Sequence, residues 1–315
     1  LILGDFSATG GDTEGRLAVG GNVTIDTNVG YSVGISIHGE ALPENLAGVE
    51  DMLIARGDLH DGVFGVNGNI VYGGTRYGDE RYDNPSRRVD PLTLKVDGNV
   101  PDDGSGATFE ALFARIRLAS AMIATMADRG VAVKELDRSD HLLHFTGEDP
   151  ILNVFNVDAA DWNGEWTDVH ITAPEYSTVV LNIRGTHIAL TNAAIRLHGI
   201  ANDRVLFNYP DATRIETTGF SHEGAVLAPY ADADLRGGYI EGFAVFGGDV
   251  TTSVGYEFHH FPFRGSVCTE AEVRPAIHLE TVAGDAQDGD VLVVIGRSAV
   301  NATCRVPNTG NTPID

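Results

Sequence analysis

Val205-Leu-Phe-Asn-Tyr-Pro-Asp211, Gly224-Ala-Val-Leu-Ala-Pro-Tyr-Ala231, Gly238-Tyr-Ile-Glu-Gly-Phe-Ala-Val-Phe-Gly-Gly-Asp249 and Phe258-His-His-Phe-Pro-Phe-Arg-Gly265 follow one another within residues 204–265. Short apolar runs rich in Val, Ile, Leu and Phe alternate with Gly, Pro, Asn and Asp clusters, the pattern of brief strands joined by tight turns. No helical period lies between the turn clusters, which recur about every ten residues. Strands this short cannot bury an apolar face alone and must layer on the next turn of chain, as in a β-solenoid or a sandwich.

The same grammar extends outward. Gly21-Asn-Val23, Gly68-Asn-Ile70, Gly98-Asn-Val100 and Gly248-Asp-Val250 repeat one small unit, a Gly and an Asn or Asp followed by a branched apolar residue. Gly or Asn accepts a left-handed backbone at a coil corner, and the branched residue then turns inward; Gly-Asn is also a common turn pair in its own right. The spacing of the unit is irregular, which predicts coils with insertions rather than a clean repeat. Strands are expected at residues 1–3, 15–19, 23–25, 31–33 and 35–37, and again at 151–155, 169–172, 178–183 and 188–191. The nearly unbroken apolar run Thr178–Ile183 predicts a strand buried on both faces. The exception to strand patterning is residues 107–129, where Phe109, Leu112, Phe113, Ile116, Ala119, Met122, Ile123 and Met126 recur at steps of three and four and predict a helix. Asp102, Asp103 and Ser105 offer caps before it and Gly130 a stop after it. One broad apolar face predicts that it lies along the solenoid or covers an open end.

Two separated groups of motifs resemble the "choice-of-anchor A" domain family. One is Asn208-Tyr-Pro-Asp-Ala212, Gly224–Ala231, Glu241-Gly242 and Phe258–Gly265; the other is Gly4-Asp-Phe6 with Asp12-Thr-Glu-Gly-Arg-Leu-Ala-Val-Gly-Gly-Asn22. The resemblance spans residues 1–265 in order. It implies a β-helix-like fold, an adhesive role at a cell surface and no catalytic residues. The expected fold is therefore mainly β: an irregular right-handed β-helix over residues 1–265 with one long flanking helix at about 107–129. Residues 266–315 are expected to form a small sandwich-like segment, because Val306-Pro-Asn-Thr-Gly-Asn-Thr-Pro-Ile314 resembles part of an immunoglobulin-like surface repeat. A complete sandwich needs about 100 residues, so either the chain is cut there or a neighbouring copy supplies strands.

Composition narrows the class. The 315 residues carry 45 acids against 21 bases, a net charge of −24, and the 38 glycines suit a turn-dense β chain. Such a surface repels nucleic acid and anionic membranes, and no run of apolar residues is long enough for a spanning helix. The sequence begins at Leu1 without a leader-like segment, which reads as a matured chain or a trimmed piece. The expected location is extracellular or at the cell surface, and the expected partners are surface glycans, proteins or further copies of the chain. Two alternatives stand beside the adhesive reading: a filament subunit joined by strand exchange through the tail, and a polysaccharide-active β-helix enzyme.

Site residues are few. Cys268 and Cys304 would pair in an exported protein. Asn22 and Asn301 fit the glycosylation acceptor pattern, Asn301 being the freer of the two. Arg76, Tyr77, Arg81 and Tyr82, in the polar stretch 73–91, form a candidate ligand-contact loop of stacking rings and forked donors, against the plainer reading of a solvated loop with local ion pairs. Glu257 and His259 fall on one strand face, where a metal is conceivable but a third ligand is missing. Calcium is a candidate on ligand type alone at Asp285–Asp290, Asp12–Glu14 and Asp232–Asp234, none of which has the alternating spacing of a calcium loop. No nucleophile elbow, phosphate loop or dinucleotide fingerprint occurs, and the regular Thr-x-Thr ladders of an ice-binding solenoid are absent.

Overall fold

A computed structural model describes residues 1–26, 30–37, 40–41, 46–47, 50–61, 65–78, 86–89, 108–166 and 168–267, together with 290–291 and 304–305. The chain winds in coils, most of which lay one short strand on each of three faces. The first face carries Leu17–Val19, Asp51–Ala55, Asn69–Tyr72 and Ser86–Arg88 on one side, and Ala244–Phe246, Ala225–Ala228, Val205–Asn208, Thr178–Arg184 and Leu152–Asp158 on the other. The second is one continuous nine-stranded sheet from Arg76–Gly78 through Phe6–Ala8 to Gly164–Glu165. The third runs from Gly65–Val66 to Tyr239–Glu241, and resumes with Ala194–His198, Asp168–Thr172 and Leu142–Gly147. Ladders between coils are parallel; antiparallel pairing of Val131–Asp137 with Leu142–Gly147 closes one end.

The coils do not stack in chain order. Phe6 lies opposite Val23 on one side and Val250 on the other. Gly11–Thr13 likewise sits between Tyr31–Val33 and Tyr256–Phe258, and Ile2 bridges Val19 and Phe246. The chain therefore starts in the middle of the stack and winds outward through strands at 17–19, 23–25 and 31–33, then 51–55, 59–61 and 65–66, then 69–72, 76–78 and 86–88. It re-enters at the opposite end near residue 131 and winds back until residues 244–259 meet its own beginning. Phe6, Tyr31 and Phe258 interlock edge to face across this junction, at 5.7 and 6.4 Å between ring centroids, the arrangement aromatic pairs prefer.

Helix α1, Phe109–Ala124, makes the return. Phe109 packs on Ala18, Ile54 and Val71 of the outgoing coils. Phe113, Ile116 and Ile123 pack on Val154, Val180, Leu206 and Leu227 of the incoming ones. Sixteen residues rise about 24 Å, enough to staple about five coils at their ~4.8 Å spacing. Burial of Phe109 and Phe113, both fully inaccessible, contributes about 1.5–3 kcal/mol each. Below its C-terminal half, Asn156, Asn182 and Asn208 fall in register on successive strands. Asn208 donates to Asn182 at 2.8 Å and to the Ser120 carbonyl at 3.0 Å, and Asn182 donates to the Ile123 carbonyl at 3.0 Å. A helix over the outer side and the core beneath explain why Thr178–Ile183 is buried on both faces.

The helix departs from its expected limits. Its cap is Thr108, whose hydroxyl accepts from the Ala111 N–H at 3.1 Å, while Asp102, Asp103 and Ser105 lie outside the described residues. It ends at Ala124 instead of 129, capped by Thr125, and Arg129 beyond it forms an isolated antiparallel bridge to Val154. The stretch 73–91, expected as a loop, contains two strands. Arg76–Gly78 pairs with Leu59–Asp61 and Ser86–Arg88 with Ile70–Tyr72. Their charged side chains are what an exposed sheet edge carries to resist further pairing.

One corner recurs through the stack. Asp232 Oδ1 accepts the Asp249 N–H, Asp249 Oδ1 the Asp5 N–H, Asp5 Oδ1 the Asn22 N–H, Asn22 Oδ1 the Asp58 N–H and Asp58 Oδ1 the Thr75 N–H, all at 2.7–2.8 Å. A glycine precedes each receiving residue. A Cβ on Gly21 would lie 2.1 Å from Asp5 Oδ1, and one on Gly248 would lie 2.0 Å from Asp232 Oδ1. The Gly-Asn/Asp-apolar unit of the sequence is thus this corner at Gly21 and Gly248. Gly68 sits at a different corner with φ +150°, and Gly98 is outside the described residues. Gly21→Ala should lower unfolding free energy by about 1–3 kcal/mol through overpacking, whereas Gly65→Ala, with open space around its Cβ, should leave the urea midpoint nearly unchanged; equal midpoints for both variants would contradict this geometry.

Candidate functional site

Two solvent faces gather the chain's exposed chemistry. Alternation on the second face turns every other side chain outward, and one such position on each of eight strands forms a row. In register these are Tyr77, His60, Thr24, Ser7, Thr251, Asp234, Glu216 and Ala189, one every ~4.8 Å. Three short hydroxyls, Thr24, Ser7 and Thr251, occupy the centre. Toward one end, Arg236 grips Asp234 at 2.6 and 3.0 Å, and Glu216 accepts from Arg214 at 3.1 Å and meets His187 at 2.7 Å. The Arg236 guanidinium holds the Asp234 carboxyl below its usual range, and His187 followed by Arg214 does the same for Glu216. Toward the other end Tyr77 stacks on His60 at 4.5 Å, with rings 11° from parallel. Opposite charges sit close together, so the face carries no large field of one sign.

The third face holds a tighter network. His259 Nδ1 meets Glu241 Oε1 at 2.8 Å and its Nε2 meets Glu257 Oε2 at 3.1 Å. With a carboxylate on each nitrogen, Glu241 foremost, the imidazolium is held up to about 9 against desolvation. Tyr239 stacks on the ring at 5.1 Å and donates to Glu223 Oε1 at 2.9 Å. Asp12, paired in register with Glu257, is pushed up to about 6 by burial and then by the Glu257 charge. Beyond a break in the sheet stand His144, His170 and His198, stacked at 5.0 and 5.2 Å, with His170 Nδ1 and His198 Nε2 2.9 Å apart. Desolvation, then His144 and His198, lower the His170 imidazole.

The expected site residues scatter. Arg76 and Tyr77 belong to the edge strand of the second face; Arg81, Tyr82, Asn301 and, apart from Asp290, the calcium candidate 285–290 lie outside the described residues. So does Cys268, and Cys304 lies in a two-residue strand, Cys304–Arg305, paired with Asp290–Val291. Asn22 is held in the corner ladder, its Nδ2 3.3 Å from Asp5 Oδ2. Glu257 and His259 do share a face, and both ring nitrogens of His259 are engaged by carboxylates, Nδ1 by Glu241 and Nε2 by Glu257. Asp232 is engaged by a backbone N–H and Asp234 by Arg236. No group of three metal-type ligands gathers among the described residues. The histidine stack and the Glu223–Tyr239–Glu241–His259 network were not anticipated, because the pairs in contact lie 16 to 28 residues apart and meet only by coiling.

The pairing of His259 has a defined pH signature. A folded value near 9 against about 6.5 unfolded means the stabilisation is complete below pH 6.5 and is lost as pH rises through 9. The melting-temperature gap between wild type and His259→Gln should therefore be wide at pH 6 and close toward pH 9.5. A gap that widens over that range would contradict the ion-pair assignment.

Over residues 1–260 the chain matches the family model described as "Putative Ice-binding-like adhesive domain", not choice-of-anchor A, so the resemblance read from the motifs pointed to an adhesive domain but to a different family. No curated protein matches the chain. Among solved structures it is similar to the DUF3494 domain of ice-binding protein 1 from Shewanella frigidimarina, with 14% identity over 81% of this chain and 93% of that one and a TM-score of 0.33. It is also similar to the ice-binding protein LeIBP from an Arctic yeast, with 14% identity over 83% and 91% and a TM-score of 0.34. On the strength of the family match, the chain belongs to the ice-binding-like adhesive domain family.

Proposed function

We propose that this chain is an extracellular adhesive module that binds extended surfaces through its flat second face. The observation that carries the reading is the continuous nine-stranded sheet, with side chains ranked at the strand spacing and short hydroxyls at its centre. A rigid, regular array loses little conformational entropy on meeting a solid or polymeric surface, which favours adhesion by many weak contacts. The charged pairs at Asp234–Arg236 and Glu216–Arg214 favour hydrated polymers such as insoluble polysaccharide over a surface that demands uniform hydroxyl spacing. The right hand of the coil, the immunoglobulin-like character of residues 266–315, and a Cys268–Cys304 bridge that would staple that tail belong to the same proposal.

Retention on ice, insoluble cellulose and chitin tests it. Wild type should be held by at least one of these. Ser7→Arg and Thr251→Arg should each cut that retention about tenfold, a loss of ~1.4 kcal/mol, while Ala114→Arg on the solvent side of α1 leaves it intact. Retention by none of the three, or equal retention by every variant, would refute the assignment of this face.

A further inference from the structure

The third face is broken between Ala194–His198 and Tyr239–Glu241. The intervening coil contributes only the bridge of His222 to Ile240, and its His222 side chain turns inward against Phe207, Phe220 and Tyr209. A shallow, wide-open notch of about 500 Å³ lies there. Its apolar lining is Ile195, Leu197 and Ala201, and its polar lining Arg196, His198, Asn202 and Glu223.

Each polar side chain is held by the protein at one end only. Arg196 Nε donates to Asp168 at 2.6 Å, His198 Nε2 meets His170, Asn202 Nδ2 donates to Glu241 at 3.2 Å, and Glu223 Oε1 accepts from Tyr239. Among the described residues, His198 Nδ1, Asn202 Oδ1 and Glu223 Oε2 have no further side-chain partner. These are anchored donors and acceptors beside apolar surface. The charges oppose one another: an anion attracted by Arg196 would meet Glu223 and Glu241, and a cation attracted by those acids would meet Arg196. Burial also raises the Glu223 carboxyl toward its neutral form. A neutral polyol with one apolar ring face satisfies all of these groups at once.

We propose that this notch binds a single unit of a neutral saccharide, its ring against Leu197 and Ala201 and its hydroxyls bonded to His198, Asn202 and Glu223. The site goes beyond the flat-face reading and does not depend on it. It would read the chemistry of one sugar, where the flat face reads an extended surface.

Saturation-transfer NMR and calorimetry with the methyl glycosides of glucose, galactose, mannose and N-acetylglucosamine, and with glucuronate as the charged counterpart, test the proposal. At least one neutral glycoside should bind with a Kd of about 1 mM. Ala201→Trp, which fills the notch from an exposed position, and Asn202→Ala should each weaken that binding about tenfold with melting temperatures unchanged. Thr251→Arg should leave it untouched, so that failure of the flat face and failure of the notch appear separately. The proposal falls if no neutral glycoside binds, if glucuronate binds in preference, if Ala201→Trp binds as well as wild type, or if Thr251→Arg abolishes binding.

Discussion

A carboxylate or amide oxygen reaching from one coil to the backbone N–H of the next is the interaction on which this architecture turns. The chain of such contacts runs Asp232, Asp249, Asp5, Asn22, Asp58, Thr75, along one edge of the stack. Each contact satisfies a donor that a turn would otherwise leave to water. It also fixes the vertical register of two strands, and in a sheet with one buried face a slip of one residue would turn every side chain inside out. The glycine before each receiving residue is the steric condition for the contact, because the oxygen of the previous coil occupies the space of its Cβ. The Asp249-to-Asp5 contact matters most, for it joins the last coil to the first.

That junction has a cost in folding order. The outgoing coils have one free side until residues 244–259 arrive, so the contacts closing the stack bridge more than 240 positions of sequence. Such long-range closure is slow and leaves strand edges exposed in the interval. Helix α1 offsets this by touching both halves, and the Asn156–Asn182–Asn208 ladder ties its carbonyls to the incoming coils. The covered first face is thereby withdrawn from solvent. The second and third faces keep their outward side chains exposed or half-buried.

Much of this was legible in the residues and some was not. Short apolar runs between glycine-rich corners gave the coils, and the three- and four-residue spacing of Phe109 to Met126 gave the helix on its correct apolar side. No single period appeared because the coils differ in length. Ladder contacts span 26 residues between Asn182 and Asn208, 17 between Asp232 and Asp249, and 36 between Asn22 and Asp58. The same unevenness hid Gly4-Asp5 and Gly57-Asp58 as members of the corner family. It hid the histidine stack as well, since nothing local in the chain marks His144, His170 and His198 as neighbours. Edge strands at Arg76 and Ser86 escaped notice because their composition is that of a loop, and only the adjacent coil makes them extended. Function was legible to the level of an adhesive surface, while the particular family was misread: motifs set by corner geometry are shared wherever coils stack in this way.

The order of the coils is the central claim, and a designed crosslink measures it directly. Neighbouring parallel strands place Ser7 and Thr251 in register, within the Cα range a disulfide accepts. In a background with Cys268 and Cys304 changed to serine, Ser7→Cys with Thr251→Cys should oxidise to a bridged, folded monomer. Ser7→Cys with Asp234→Cys, a further coil away at roughly 10 Å, should stay reduced. Bridging of the second pair, or none of the first, would place the beginning of the chain elsewhere and contradict the account.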